Sequence, residues 1–291
     1  MKRALSVVVL AAAGVGVLGV AQAGALPVTT GSLAFSGDPG DWISGGDSYS
    51  YSTANNDTLT VYGSEDNGGL DVSVRGKNSD NWDLHLQAPS GQALKAGTYD
   101  GATRWPFQAP TAPGLDLSGN GRGCNTSKGT FTIQDVVFGP HGYVQTLDAT
   151  YEQHCEGGTT AARGEVHIAN PAPPAELGTQ VVVATNGTAS TLNGNAYISG
   201  TVTCNENNVA VGLSGTVTQV AHNIIIRANY SATVTCKAGQ AVPWTATAVP
   251  TGTTPFTKGK VEVLTHSSAT DPVYNVDVTT DTTSVVTLKK V

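Results

Sequence analysis

Asp116, Ser118 and Asn120 occupy alternate positions ahead of Gly121 in 116-DLSGNGRGCNTSKGTF-131, and Cys124 follows three residues after the glycine. Alternating oxygen donors before a glycine form the first half of a calcium loop, in which carboxylate, hydroxyl and amide oxygens converge on a hard cation. The twelfth position, where such a loop closes with a bidentate glutamate, is Ser127, and no flanking helices are expected. The same residues also suit a Gly-rich turn in which Asp and Asn bond their own backbone and Cys124 pins the turn to a second cysteine. That turn is the preferred reading, with calcium at Asp116, Ser118 and Asn120 as the alternative. Arg122, between two glycines, is a candidate ligand-binding residue, although carbonyls or a carboxylate such as Glu152 or Glu156 are its more ordinary partners.

Aromatic side chains offer a second kind of chemistry. Trp42, Tyr49, Tyr51, Tyr62 and Trp105 lie in polar, Gly-rich or Pro-rich surroundings, where a ring left partly exposed can stack on a sugar or on a partner's side chain. Trp42 and Trp105 are the candidate ligand-binding residues, against the plainer expectation that they seal the ends of a β-sandwich. His85, His141, His154 and His167 are scattered over different strands and turns, and each is read as a solvated surface residue rather than a metal ligand. No nucleophile elbow, zincin helix or P-loop occurs. The acidic residues of the first half could supply a glycosidase-like pair, but such a pair acquires meaning only from geometry.

These residues need a scaffold, and the sequence describes an exported β-protein. Lys2 and Arg3 precede an apolar run from Leu5 to Val20, and Ala21-Gln22-Ala23 offers small residues to a signal peptidase, so residues 1–23 are expected to be a Sec-type signal peptide. No second stretch approaches the ~20 apolar residues of a membrane span. Residues 27–170 carry sixteen acidic and seven basic residues, whereas 171–291 carry six of each. The acidic balance argues against nucleic acid or an anionic membrane surface as partner and leaves a cationic partner or bound cation open. Secretion or periplasmic residence follows from the leader; no cofactor is required.

The segment 169-ANPAPPAEL-177 divides the chain into an acidic β-sandwich domain (27–168) and a second, immunoglobulin-like sandwich (178–291), joined by a Pro-rich linker (169–177). Each half holds two cysteines, Cys124 and Cys155, then Cys204 and Cys236. Three connectivities are possible; pairing within each domain is the simplest in an oxidising compartment, and zinc lacks a Cys-x-x-Cys or tight His spacing. Period-two alternation in 70-LDVSVRG-76 and 82-WDLHLQ-87 buries Leu70, Val72, Val74, Trp82, Leu84 and Leu86 and turns Asp71, Ser73, Arg75, Asp83 and His85 the other way. In 147-LDATYEQHC-155, 196-AYISGTVTC-204 and 224–236 the cysteines fall on the inward phase. Further strands are expected at 209–220, 242–249, 260–264, 273–278 and 284–288, giving an all-β chain of tandem antiparallel sandwiches with one disulfide each.

Residues 31–168, through 97-GTYDGATRWPFQ-108, 114-GLDLSGNGRGCN-125 and 151-YEQHCEG-157, resemble a domain recurring in exported bacterial proteins of unknown function, marked by a Gly-Arg-Gly-Cys-Asn segment answered by Gln-His-Cys-Glu. Residues 196–264, with 200-GTVTC-204, Cys236, Trp244 and 256-FTKGKVEV-263, are similar to an uncharacterised β-sandwich module of secreted bacterial proteins. The resemblance implies export, β-structure and paired cysteines, and it brings no activity. The expected function is therefore an exported, non-catalytic binding or surface-associated protein that recognises a glycan or protein through domain-one loops. The alternatives are an extracellular hydrolase using first-domain carboxylates and a purely structural envelope protein.

Overall fold

The computed structural model describes residues 26–291 except His222; the expected leader and its cleavage site lie outside the described residues. Eleven strands build the first sheet: β1 (Leu26–Pro27), β2 (Thr30–Gly37), β3 (Ser48–Ser52), β4 (Thr58–Gly63), β5 (Gly69–Arg75), β6 (Asn81–Gln87), β7 (Gly97–Arg104), β8 (Gly114–Gly119), β9 (Ser127–Phe138), β10 (Val144–Cys155) and β11 (Ala162–Ala169). Eight build the second: β12 (Thr179–Val183), β13 (Asn186–Ala189), β14 (Ala196–Cys204), β15 (Ala210–Ala221), β16 (Ile224–Thr235), β17 (Ala241–Ala248), β18 (Gly259–Thr270) and β19 (Asp277–Lys290). Pairing is antiparallel apart from β7 with β8 and β13 with β19. No α-helix occurs among the described residues.

The first sheet runs β1-β4-β5-β6-β8-β7-β9-β10-β11-β2-β3 and curls over one core. Trp82 of β6 packs edge-on against Phe35 of β2 at 4.7 Å and lies 5.1 Å from Tyr49 of β3, while its indole N–H donates to the Tyr51 hydroxyl at 2.8 Å. Leu70, Val72, Val74, Leu84 and Leu86 are buried as their alternation requires. Strand β8 replaces the expected loop at 116–119, because Leu115 and Leu117 are enough to anchor a short strand in this core. It ends in an Asn120-Gly121 turn with φ of 47° and 75°, and Gly119 and Arg122 exchange both backbone hydrogen bonds across it. Asn-Gly suits this two-residue turn because both central positions need positive φ.

Beyond Leu115, β8 has no backbone neighbour among the described residues on the side away from β6. Gln153, fully buried on β10, fills that edge. Its Oε1 accepts from Leu117 N–H at 2.8 Å, and its Nε2 donates to Leu117 C=O at 2.9 Å and lies 3.4 Å from Cys124 Sγ. Cys124 is bonded to Cys155, so the glutamine ties β10 to β8 and the disulfide ties β10 to the segment that follows β8.

In the second half the order is β12-β14-β13-β19-β18-β15-β16, with β17 on the free side of β14. Tyr230 of β16 and Trp244 of β17 lie parallel at 6.1 Å, and Cys204–Cys236 joins the ends of β14 and β16 over a common core. The strand expected at 273–278 is a turn up to Val276. The Asp271 carboxylate accepts from the backbone N–H groups of Val273, Tyr274 and Leu177, which holds the chain in a bend and buries Tyr274. The Pro-rich segment is gripped from both halves: the Tyr143 hydroxyl donates to Pro171 C=O at 2.9 Å, the Tyr274 hydroxyl donates to Pro174 C=O at 2.6 Å, and His141 Nε2 lies 2.9 Å from Glu176 Oε1.

Replacing Gln153 with Leu leaves a buried N–H and C=O of Leu117 unpaired, which costs about 3 kcal/mol. Urea denaturation of Gln153→Leu should show that loss with an unchanged slope, and a loss below about 0.5 kcal/mol would mean that the bridge is dispensable.

Candidate functional site

The site grows from the outer face of β5, β6 and β8. Because Val72, Leu84 and Leu117 point into the core, their neighbours Asp71, Ser73, Asp83, His85, Asp116 and Ser118 stand on the opposite face. Register then brings Asp71 opposite His85 and His85 opposite Asp116, one row running across three strands, and beside it a second row of Ser73, Asp83 and Ser118. Ser73 donates to Asp83 at 2.6 Å and Ser118 donates to Asp116 at 2.9 Å.

Trp105 roofs this row. At the end of β7 its ring lies on the His85 imidazole, with centroids 3.8 Å apart and planes within 10°, and its N–H donates to Gln87 Oε1 at 2.8 Å. Gln108 Nε2 donates to the same oxygen at 3.2 Å. Trp105 is half-buried, and His85, expected to be a solvated surface residue, keeps only 15% of its side chain exposed.

Burial dominates the electrostatics. Asp71 is pushed up to about 6 by loss of solvent, with the Asp83 carboxylate adding to the shift. Its side chain as a whole is 39% exposed, yet Oδ1 is enclosed and has no hydrogen-bond partner among the described residues. Asp116, 8% exposed and with Oδ1 likewise unpartnered, is raised by burial against the opposing pull of Ser118 and Arg104. The His85 imidazole is lowered, again chiefly by burial. Acid and base thus both favour their neutral forms, side by side, with Asp71 Oδ2 3.4 Å from His85 Nδ1.

An aromatic rim adjoins the row. Arg104, the residue before Trp105, lies 5.0 Å from the centre of the Phe107 ring and donates from Nη1 to Asn125 C=O at 3.1 Å. Two residues away, Gly123 C=O accepts from the Trp42 indole N–H at 3.1 Å. Trp42 is 59% exposed and Phe107 72% exposed, so two open rings flank the segment 123–125, which Cys124 fastens to Cys155. Trp42 is presented outward by its neighbours. Asp41 and Ile43 are buried on either side of it, and Asp41 Oδ2 accepts from both the backbone N–H and the hydroxyl of Ser44.

The other sequence-stretch candidates separate. Arg122 finds neither Glu152 nor Glu156; its guanidinium lies over Trp82 and Tyr49 at 5.2 and 5.7 Å and donates to the Tyr49 hydroxyl at 2.8 Å. Glu152 bonds Arg163 and lies 2.9 Å from His154 Nε2, while Glu156 accepts from Thr126 and Asn125. Asn120 sits in the turn beyond Asp116 and Ser118, donating to Asp80 and accepting from Asn81 N–H, so its oxygen is engaged away from theirs. Among the described residues no three His, Cys, Asp or Glu side chains converge as a ligand set. Phe107, Arg104 and the Asp71–His85–Asp116 row were not singled out by sequence reasoning. The outward phase of Asp71 and His85 was the available signal, and register supplied the rest.

The row can be tested through pH. Asp71, raised in the folded state, contributes stability that is present at acid pH and lost as the pH rises through about 6; His85, lowered, contributes with the opposite sign, losing stability as pH falls. Asp71→Asn should therefore gain in melting temperature relative to the parent as pH rises from about 4 to 6, and hold that difference above it. A difference in melting temperature that stays flat over that window would remove Asp71 as a group strained by ionisation. Compared with known proteins, the chain matches no family model and no curated sequence.

Proposed function

We propose that the chain is an exported, non-catalytic binding protein that recognises a glycan through the aromatic rim of its first sheet. The observation that carries this reading is the pair of exposed rings, Trp42 and Phe107, on either side of the disulfide-held segment 123–125. A sugar offers apolar C–H faces and a ring of hydroxyls. Exposed aromatic rings match the first, and the polar groups of the segment 123–125 match the second. Trp42 is already fixed by its hydrogen bond to Gly123, so binding immobilises little that was free. Export is supported by the basic-apolar leader pattern and by the engagement of all four cysteines in disulfides. The second half, sandwich-like with its Cys204–Cys236 staple, we read as an immunoglobulin-like module that carries the first.

A second reading, hydrolysis of an extracellular polymer, is favoured by one observation: Asp71 and Asp116 are both shifted toward protonation, as a general acid requires. They flank His85, which lies under Trp105 on a sheet face, and the rim stands beside them.

Glycan-array binding of the purified protein, followed by titration of any hit, separates these readings. Trp42→Ala and Phe107→Ala should each weaken binding about tenfold, or about 1.4 kcal/mol, without lowering the melting temperature. Undiminished binding in both variants would remove the rim as the site. Release of reducing ends from the bound glycan, abolished in Asp71→Asn and Asp116→Asn, would replace binding by hydrolysis as the function.

A further inference from the structure

The second half carries a surface that the glycan site leaves unused. In the β15–β16 hairpin Val220 faces Ile225 and Ala221 faces Ile224. Val220, Ile224 and Ile225 are 70%, 48% and 55% exposed. Val249 is 58% exposed and begins a segment that Thr251 ties to Arg227 C=O through its N–H and its hydroxyl. Clustered aliphatic exposure of this kind marks an interaction surface, because water contact with each side chain is unfavourable. A hairpin end projects, so it suits a medium that it can enter better than a rigid partner that must offer a matching groove.

Charge selects the medium. Buried Gln219, next to Val220, donates to Thr257 C=O at 2.8 Å and accepts from Thr257 N–H at 2.9 Å, which sets Lys258 beside the tip. Lys258 and Lys290 line an open pocket of about 550 Å³ with Ser190, Thr191 and Phe256. Lys260 at the start of β18 and Arg227 at the start of β16 are exposed at the same end. Over residues 216–227, 249–262 and 284–290 Glu262 is the single carboxylate, and no ion pair engages Arg227, Lys258, Lys260 or Lys290 among the described residues. Glu176, Glu206, Asp271 and Asp277 gather at the opposite end of the strands, with the linker. Net charge weighs against an anionic membrane as partner, but that balance hides a polarity. The second half is neutral as a whole and cationic at its apolar tip.

We propose that this tip docks on an anionic lipid surface, with Val220, Ile224 and Ile225 entering the interfacial region while Lys258 and Lys290 hold a lipid phosphate in the adjoining pocket. Arg227 and Lys260 then lie at headgroup level. Flotation of the purified protein with phosphatidylcholine vesicles, with and without phosphatidylglycerol, tests it. The protein should float with the anionic vesicles only, and less so as salt rises. Ile225→Asp, and Lys258→Glu combined with Lys290→Glu, should each weaken this at least about tenfold while melting as the parent does. Absence of flotation at low salt, or flotation undiminished in both variants, overturns the proposal. So does saturable binding of inorganic phosphate without vesicle binding, which would assign the pocket to a free anion. Self-association that Ile225→Asp disperses, again without flotation, would assign the tip to a second copy. Trp42→Ala must leave flotation unchanged, which keeps this surface distinct from the glycan rim.

Discussion

The first sheet depends on a side-chain amide that behaves as backbone. β8 has a paired edge against β6 and, past Leu115, an open edge toward the core, where an unpaired N–H and C=O would be expensive. Gln153 presents the same donor-acceptor pair that a neighbouring strand would present, and it does so from β10 across the interior. The Cys124–Cys155 bond then locks the far side of the same junction. Three features of the outer surface adjoin this junction: the Asn120-Gly121 turn, the flanked segment 123–125 and the row that contains Asp116.

The outer face reflects a conflict between burial and charge. Trp105 is placed over His85 by its backbone bond to Leu115 C=O and its side-chain bond to Gln87, and the consequence is a carboxylate and an imidazole that are both driven toward neutrality. The exposed rings nearby obey the opposite logic. Trp42 and Phe107 stay in solvent because buried neighbours, Asp41 and Ile43 in one case and a cation stacked on the ring in the other, determine where the backbone and side chain can go.

Alternation exposed the strands whose inward faces are uniformly apolar, and β5, β6, β14 and the cysteine phases follow from it. It reached β10 and the first half of β18 but not their polar inward positions: Gln153 of β10 and Thr265 and Ser267 of β18 are buried, and hydropathy alone carries no sign of them. At 273–276 apolar spacing suggested a strand, but three N–H groups captured by Asp271 outweigh it. The outward direction of Asp71, Asp83 and His85 was legible, but their meeting with Asp116 was not, since register between β6 and β8 spans almost thirty intervening residues and is settled by packing. Trp42 and Trp105 were legible as candidates, though not the different fates of the two rings.

The gripped Pro-rich segment has a mechanical consequence. A Gly/Ser tether would let the two halves sample many separations, and simultaneous attachment at both would then require those to be narrowed on each encounter. Here the carbonyls of Pro171 and Pro174 are held by tyrosines from opposite halves, and Glu176 is held by His141. The connection acts as a splint: a pull on one half is passed to the other without first taking up slack.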